Sequence, residues 1–179
     1  MLAFAAAGFD SYGIEPSETF RKMAIEKMGV PGDKIYLNTV ENAEFPENTF
    51  DYISFGAVLE HLYNPGEAIQ KAVHWLKPGG IIKISVPSSK WLTARLVNFV
   101  YKLRFSKFVC NISPMHSPFH LYEFTLKSFK EHAKTHNYHI AKHEYNVCQT
   151  FLPRFLNPIV IPIMRSTNTG MEIVVWMRK

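Results

Sequence analysis

The sequence predicts an α/β fold, a mostly parallel sheet with helices on both faces. Three observations predict it. Strand and helix signals alternate through the first half of the chain. Residues 50–87 read as strand, capped helix, Pro-Gly turn and strand, the order of a βαβ unit. The composition is globular, with 47% hydrophobic and 20% charged residues among 179. That length suits one domain, 1–179. The composition excludes a disordered tail, a collagen-like repeat and a disulfide scaffold. No run of about 18 apolar residues occurs, so no membrane-spanning helix is expected. Met1 to Gly8 is apolar but has no basic start, unlike a signal peptide. Two cysteines, Cys110 and Cys148, fit a reducing compartment, and a cytoplasmic location is expected.

The elements follow in order. Ser11 to Ile14 is a strand ending at Glu15-Pro16, and Ser17 caps a helix with Glu18 in its first turn. Phe20, Met23, Ala24 and Met28 give that helix an apolar face, and Gly29 with Pro31 stops it. Residues 34–37 and 50–55 are strands, the second with a buried Tyr52-Ile53 centre. Asn64 caps the next helix, with Pro65 at its first position and Glu67 three residues after the cap. Ala68, Ile69, Ala72, Val73 and Leu76 recur at helical spacing. Lys77-Pro78-Gly79-Gly80 reads as a turn, and residues 81–86 as a strand ended by Pro87. Residues 91–103 read as a helix packing through Leu92, Leu96, Phe99 and Leu103. Thr125 caps a helix running to about Thr135, and residues 140–147 and 171–177 are strands. Between these two strands, Pro153, Pro158 and Pro162 forbid a helix interior or a central strand.

The net charge of +5 is local. Lys90, Arg95, Lys102, Arg104 and Lys107 fall in a segment with no acid, and without them the chain is neutral. Trp91, Phe99, Tyr101 and Phe105 interleave with them, which suits an anionic membrane surface or a hydrophobic acceptor, or a lid helix with a solvated basic edge. Nucleic acid is weaker, because no second basic patch or known motif appears. His132 and His136 could share a helix face and hold a metal, but no carboxylate or cysteine completes the set, and a solvated face is the better reading.

Ligands of doubly wound sheets bind at the carboxyl ends of strands, so the strand ends carry the candidate chemistry. A carboxylate at Glu15 suits ribose hydroxyls, or serves the helix start that follows. Asn42 can donate and accept, which suits the amino edge of an adenine, and the Ala43 N–H could reach a ring nitrogen. Glu60 and His61 suit a base, a substrate anchor or part of a metal site, or a hydrogen-bonded pair that organises the loop.

Val58-Leu59-Glu60-His61-Leu62, then Leu76-Lys77-Pro78-Gly79-Gly80 and a strand ending at Pro87, resembles the core of class I S-adenosylmethionine-dependent methyltransferases. Phe50-Asp51-Tyr52 and Gly13-Ile14-Glu15 fall at matching spacings. The resemblance is closest to the small-molecule branch that includes ubiquinone and menaquinone biosynthesis enzymes, which carries a segment similar to His120-Leu121-Tyr122-Glu123-Phe124-Thr125. It covers most of residues 8–86 and thins afterwards.

The resemblance implies a Rossmann-like methyltransferase sheet, S-adenosylmethionine as cofactor and methyl transfer to a small, hydrophobic acceptor. Glu15 and Pro16 would hold the ribose, and Asn42 and Ala43 the adenine. Phe55, Gly56 and Ala57 would lie beside the methionine part. Glu60 and Tyr122 would face the acceptor, and His61 and His120 would take its proton. Some relatives add a carboxylate at the position of Ala57 to hold a metal with the Glu-His pair; Ala57 cannot ligate, so no metal is expected. The family's glycine-rich loop has no counterpart, and Met1 to Gly8 resembles the tail of the helix after it. The first, central strand is therefore expected to be missing, with residues 88–135 covering the substrate as a helical insertion. An upstream extension, another chain or re-pairing of the strands would fill that gap. Self-association is left open. The rival readings are a non-catalytic methyltransferase-like module in assembly or lipid contact, and a dehydrogenase, which the absence of Gly-x-Gly-x-x-Gly after any strand disfavours.

Overall fold

The computed structural model describes residues 1–115 and 117–179. The chain forms two compact units, Met1–Phe45 and Pro46–Lys179.

The first unit holds α1 (Leu2–Ala6), β1 (Gly13–Glu15), α2 (Glu18–Glu26) and β2 (Ile35–Leu37). β1 and β2 pair in parallel, Gly13 opposite Ile35. The Ser17 hydroxyl caps α2 by accepting the Phe20 N–H at 3.3 Å. Arg21 ties α2 to the approach of β2, donating to the carbonyls of Ile35 at 2.8 Å and Gly32 at 2.9 Å. The apolar face expected of α2 is not covered within this unit: Phe20, Met23 and Met28 are exposed, while Ala24 and Ile25 are half-buried. Two three-residue strands make a sheet narrower than that stripe.

The second unit begins with β3 (Phe50–Gly56), a 3-10 turn (Leu59–His61), α3 (Pro65–Trp75), β4 (Leu76–Pro87) and α4 (Leu92–Leu103). It continues with α5 (Leu126–Ala133), β5 (His139–Asn146), a second 3-10 turn (Arg154–Leu156), α6 (Asn157–Ser166) and β6 (Glu172–Arg178). Its sheet has the order β3-β4-β6-β5. β3 and β4 are parallel, but β6 runs against both β4 and β5. The sheet is therefore mixed rather than mostly parallel, because the last strand enters between β4 and β5 in the reverse direction.

The core is built on the β4–β6 ladder. Ile82 faces Met177 and Ile84 faces Val175, all fully buried. α3 adds Ala68, Ile69, Ala72 and Val73, the residues its spacing nominates. The Asn64 carboxamide accepts the Glu67 N–H at 3.3 Å, completing the expected cap.

Four local expectations are corrected. Lys77 to Gly80 is not a turn between helix and strand: β4 runs through it, and the turn signal survives as a register break, with Phe50 opposite Leu76 but Tyr52 opposite Ile81. Gly80 lies so close to Asp51 that a Cβ would sit 3.0 Å from its carbonyl oxygen, which explains the glycine. Tyr52 is exposed and Ile53 half-buried; among the described residues β3 stands at the edge of its sheet, beside β4. α4 buries Thr93 and Ala94, while Leu96, Phe99 and Leu103 face outward. The prolines do not exclude a helix at 157–166: Pro158 sits in the first turn, where a free N–H has no partner anyway, and Pro162 removes one intrahelical bond.

Candidate functional site

In the first unit, β1 delivers Glu15 to the start of α2. One carboxylate oxygen accepts the Ser17 N–H at 2.8 Å, so the helix-start role is present and the second oxygen is left for a ligand. Pro16 is exposed beside it, and Asn42 is exposed. Ala43 is buried, and its N–H already donates to the Thr39 carbonyl at 2.9 Å, so a ring nitrogen would compete with that bond.

In the second unit, the parallel strands β3 and β4 end side by side, Gly56 opposite Ser85. Phe55 is buried, and the space where a Gly56 side chain would stand is open to 4 Å. Ala57 then turns the chain with φ 53°, a left-handed conformation that costs an L-residue energy. Its N–H donates to the Ser85 carbonyl at 2.9 Å. The 3-10 turn follows, placing Glu60 and His61 at the strand end.

The segment after residue 119 closes on this turn. Leu121 N–H donates to the Glu60 carbonyl at 2.8 Å, Phe124 N–H to the Pro87 carbonyl at 3.0 Å, and the Tyr122 hydroxyl to the Tyr63 carbonyl at 3.0 Å. His61 and His120 come together with ring centroids 5.0 Å apart. His61 Nδ1 lies 3.4 Å from the Phe119 carbonyl and His120 Nδ1 3.1 Å from the Asn111 carbonyl. A carbonyl only accepts, so each neutral ring carries its proton on Nδ1 and its lone pair on Nε2. His61 Nε2 is 4.0 Å from Glu60 Oε1.

Glu60 is 1% exposed, and its Oε2 has no hydrogen-bond partner. Burial raises its pKa above the usual 4.5, opposed by its own amide and by His61 and His120, and reinforced by Glu172. Burial likewise raises Glu123, opposed by the Asn111 amide, which donates to it at 3.1 Å, and by His120. Ligand atoms of Glu60, His61 and His120 all lie within 4.8 Å of one another. That is enough for three ligands of a divalent ion, a set the sequence reading did not assemble because His120 is remote in the chain.

Spacing alone did not nominate Asn111, Glu123 or Glu172. Glu123 was visible only as part of the His120 segment. Glu172 accepts from the Ser85 hydroxyl and from the Asn146 amide. His132 and His136 stack at 3.9 Å and are half-buried, not a solvated face; they belong to no three-ligand group among the described residues. Both cysteines are free.

The methyltransferase-domain family model matches residues 1–84. A solved S-adenosylmethionine-dependent methyltransferase of Archaeoglobus fulgidus aligns over 99% of this chain and 80% of its own, with TM-score 0.65 and 14% identity. One from Mesorhizobium loti aligns over 99% and 85%, with TM-score 0.62 and 13% identity. The 1,6-didemethyltoxoflavin-N1-methyltransferase of Burkholderia thailandensis, solved with its acceptor and S-adenosylhomocysteine, aligns over 99% and 64%, with TM-score 0.57 and 16% identity. No curated protein matches the sequence. The chain thus has the fold of class I S-adenosylmethionine-dependent methyltransferases, and its first 84 residues match their domain. The resemblance drawn from the sequence is borne out for that class; the ubiquinone and menaquinone branch is not singled out.

Proposed function

We propose that this chain transfers a methyl group from S-adenosylmethionine to a small, hydrophobic acceptor bound against Glu60, His61 and His120. The observation that carries the reading is the pair of Nδ1–carbonyl contacts, which leaves both Nε2 lone pairs at the strand end. The residues present suit the cofactor: Glu15 keeps a carboxylate oxygen for ribose hydroxyls, and the space beside Gly56 is open. Within the first unit, Pro16 is assigned to the ribose and Asn42 with Ala43 to the adenine; within the second, taken by itself, Phe55, Gly56 and Ala57 are assigned to the methionine part.

When bound, S-adenosylmethionine supplies a methyl already activated on a sulfonium, so the chain must position the acceptor, exclude water and take a proton. His120 Nε2 takes the acceptor proton, and His61 shares it. Glu60, held beside the two imidazoles, is the acceptor's anchor. Tyr122 flanks the acceptor and, through its bond to Tyr63, keeps the closing segment in place.

Titration calorimetry with S-adenosylmethionine and S-adenosylhomocysteine tests the donor half, and Glu15→Ala should abolish the heat. Binding by the native chain that Glu15→Ala leaves unchanged would remove Glu15 from the site. A screen of small phenols and heteroaromatics, read by S-adenosylhomocysteine release, tests the acceptor half.

A further inference from the structure

The second unit presents an apolar face bordered by positive charge. On α4, Leu96, Phe99, Val100 and Leu103 follow the spacing of one helix face, and all are exposed. Ala94, on the opposite face, is buried, as is Thr93 in the first turn. Phe105, just beyond the helix, is 97% exposed. Arg95 and Lys102 lie along one border of the stripe, and Arg104 and Lys107 follow it. None of these four forms an ion pair among the described residues.

α6 adds a second row. Ile159 and Ile163 on α6, and Phe151 and Phe155 in the segment before it, are exposed. The two elements share a base. Trp91, Ala94 and Met164 form one buried cluster, and Val160 packs against it. Leu92 N–H donates to the Thr169 carbonyl at 3.1 Å, and Thr93 Oγ1 donates to the Thr150 carbonyl at 2.8 Å. The Trp91 and Phe151 rings meet at 5.5 Å.

Charge indicates what this face meets. No acidic residue occurs between Glu67 and Glu123, or between Glu144 and Glu172, so both rows lie in stretches whose formal charges are all positive. A second copy of the chain would bring the same cations against themselves. An anionic lipid surface satisfies both parts: acyl chains and glycerol take the apolar stripe, and headgroups take the arginines and lysines that snorkel from its border. No described helix is long and apolar enough to cross a membrane, which suits a helix lying in the interface.

We propose that α4 and residues 104–109 form a docking surface for an anionic lipid bilayer. The surface does not depend on the methyl-transfer reading.

The test is vesicle flotation of the full chain, with phosphatidylcholine vesicles alone or with phosphatidylglycerol mixed in. The expected result is flotation with the anionic vesicles that fades as salt rises. Lys102→Glu with Arg104→Glu should lower partitioning roughly tenfold or more. Phe99→Asp with Leu103→Asp should abolish it with the circular dichroism unchanged, while Phe20→Asp, an exposed aromatic elsewhere, should leave it intact. Equal flotation with both vesicle types, no flotation with either, or variants that float like the native chain would overturn the proposal. So would a dimer in sedimentation velocity that Phe99→Asp with Leu103→Asp dissolves.

Discussion

The Leu121 N–H donates to the Glu60 carbonyl at 2.8 Å, across sixty residues of chain. This bond brings His120 to the carboxyl end of β3. It turns a Glu-His dipeptide into a three-residue site, because His120 precedes the donor and Glu60 is the acceptor.

His120→Ala tests the proposed proton acceptor. A positioned general base contributes about 10²–10⁴ in rate, so turnover of a responsive acceptor should fall by that order. Calorimetric affinity for S-adenosylmethionine should hold. Turnover equal to the native chain would exclude His120 from the chemistry.

Glu60 sets a pH dependence of stability. Its folded pKa is raised by burial, so its contribution is complete below the ordinary carboxylate value of 4.5 and is lost as pH rises through the folded value. Glu123 is raised for the same reason and acts in the same direction. Glu60→Gln cannot ionise, so denaturant unfolding across the weakly acidic range should show the variant gaining on the native chain as pH rises. Parallel curves at every pH would contradict a raised Glu60.

Ala57 holds a left-handed conformation at the turn after β3. That costs an L-residue about 1–2 kcal/mol, and glycine's extra freedom in the unfolded chain returns about 0.5–1 kcal/mol of any gain. Ala57→Gly should therefore stabilise by at most about 1.5 kcal/mol, whereas β-branched Ala57→Val should destabilise. Thermal unfolding distinguishes them, and a lowered Tm for Ala57→Gly would show that the turn carries no strain.

The Asn64 cap of α3 should be worth about 1 kcal/mol, so Asn64→Ala should lower Tm by about 2–4 °C for a chain of this size. Asn64→Asp should hold Tm, because it keeps the accepting oxygen. Equal loss in both variants would mean that the Glu67 bond contributes nothing.

Local signals were legible wherever chemistry and position coincide in sequence. Asn64-Pro65 with Glu67 gave α3, and Ser17 gave α2, because a cap needs only its own first turn. Failures arose where a distant partner decides. The spacing of Leu96, Phe99 and Leu103 marks a helix face but cannot say that nothing lies against it. Pro162 reads as a helix breaker, yet it removes only one intrahelical bond and α6 runs through it. Lys77 to Gly80 reads as a turn, yet pairing with β3 draws it into β4. The direction of β6 and the arrival of His120 beside Glu60 depend on chain segments that no local pattern links.

The placement of β6 between β4 and β5 has a kinetic consequence. During synthesis β4 and β5 emerge with no ladder between them, and the strand that joins them comes last. The sheet is therefore completed by insertion rather than by accretion. Until residues 172–178 arrive, the β4 edge that carries Ile82 and Ile84 has no partner strand on that side.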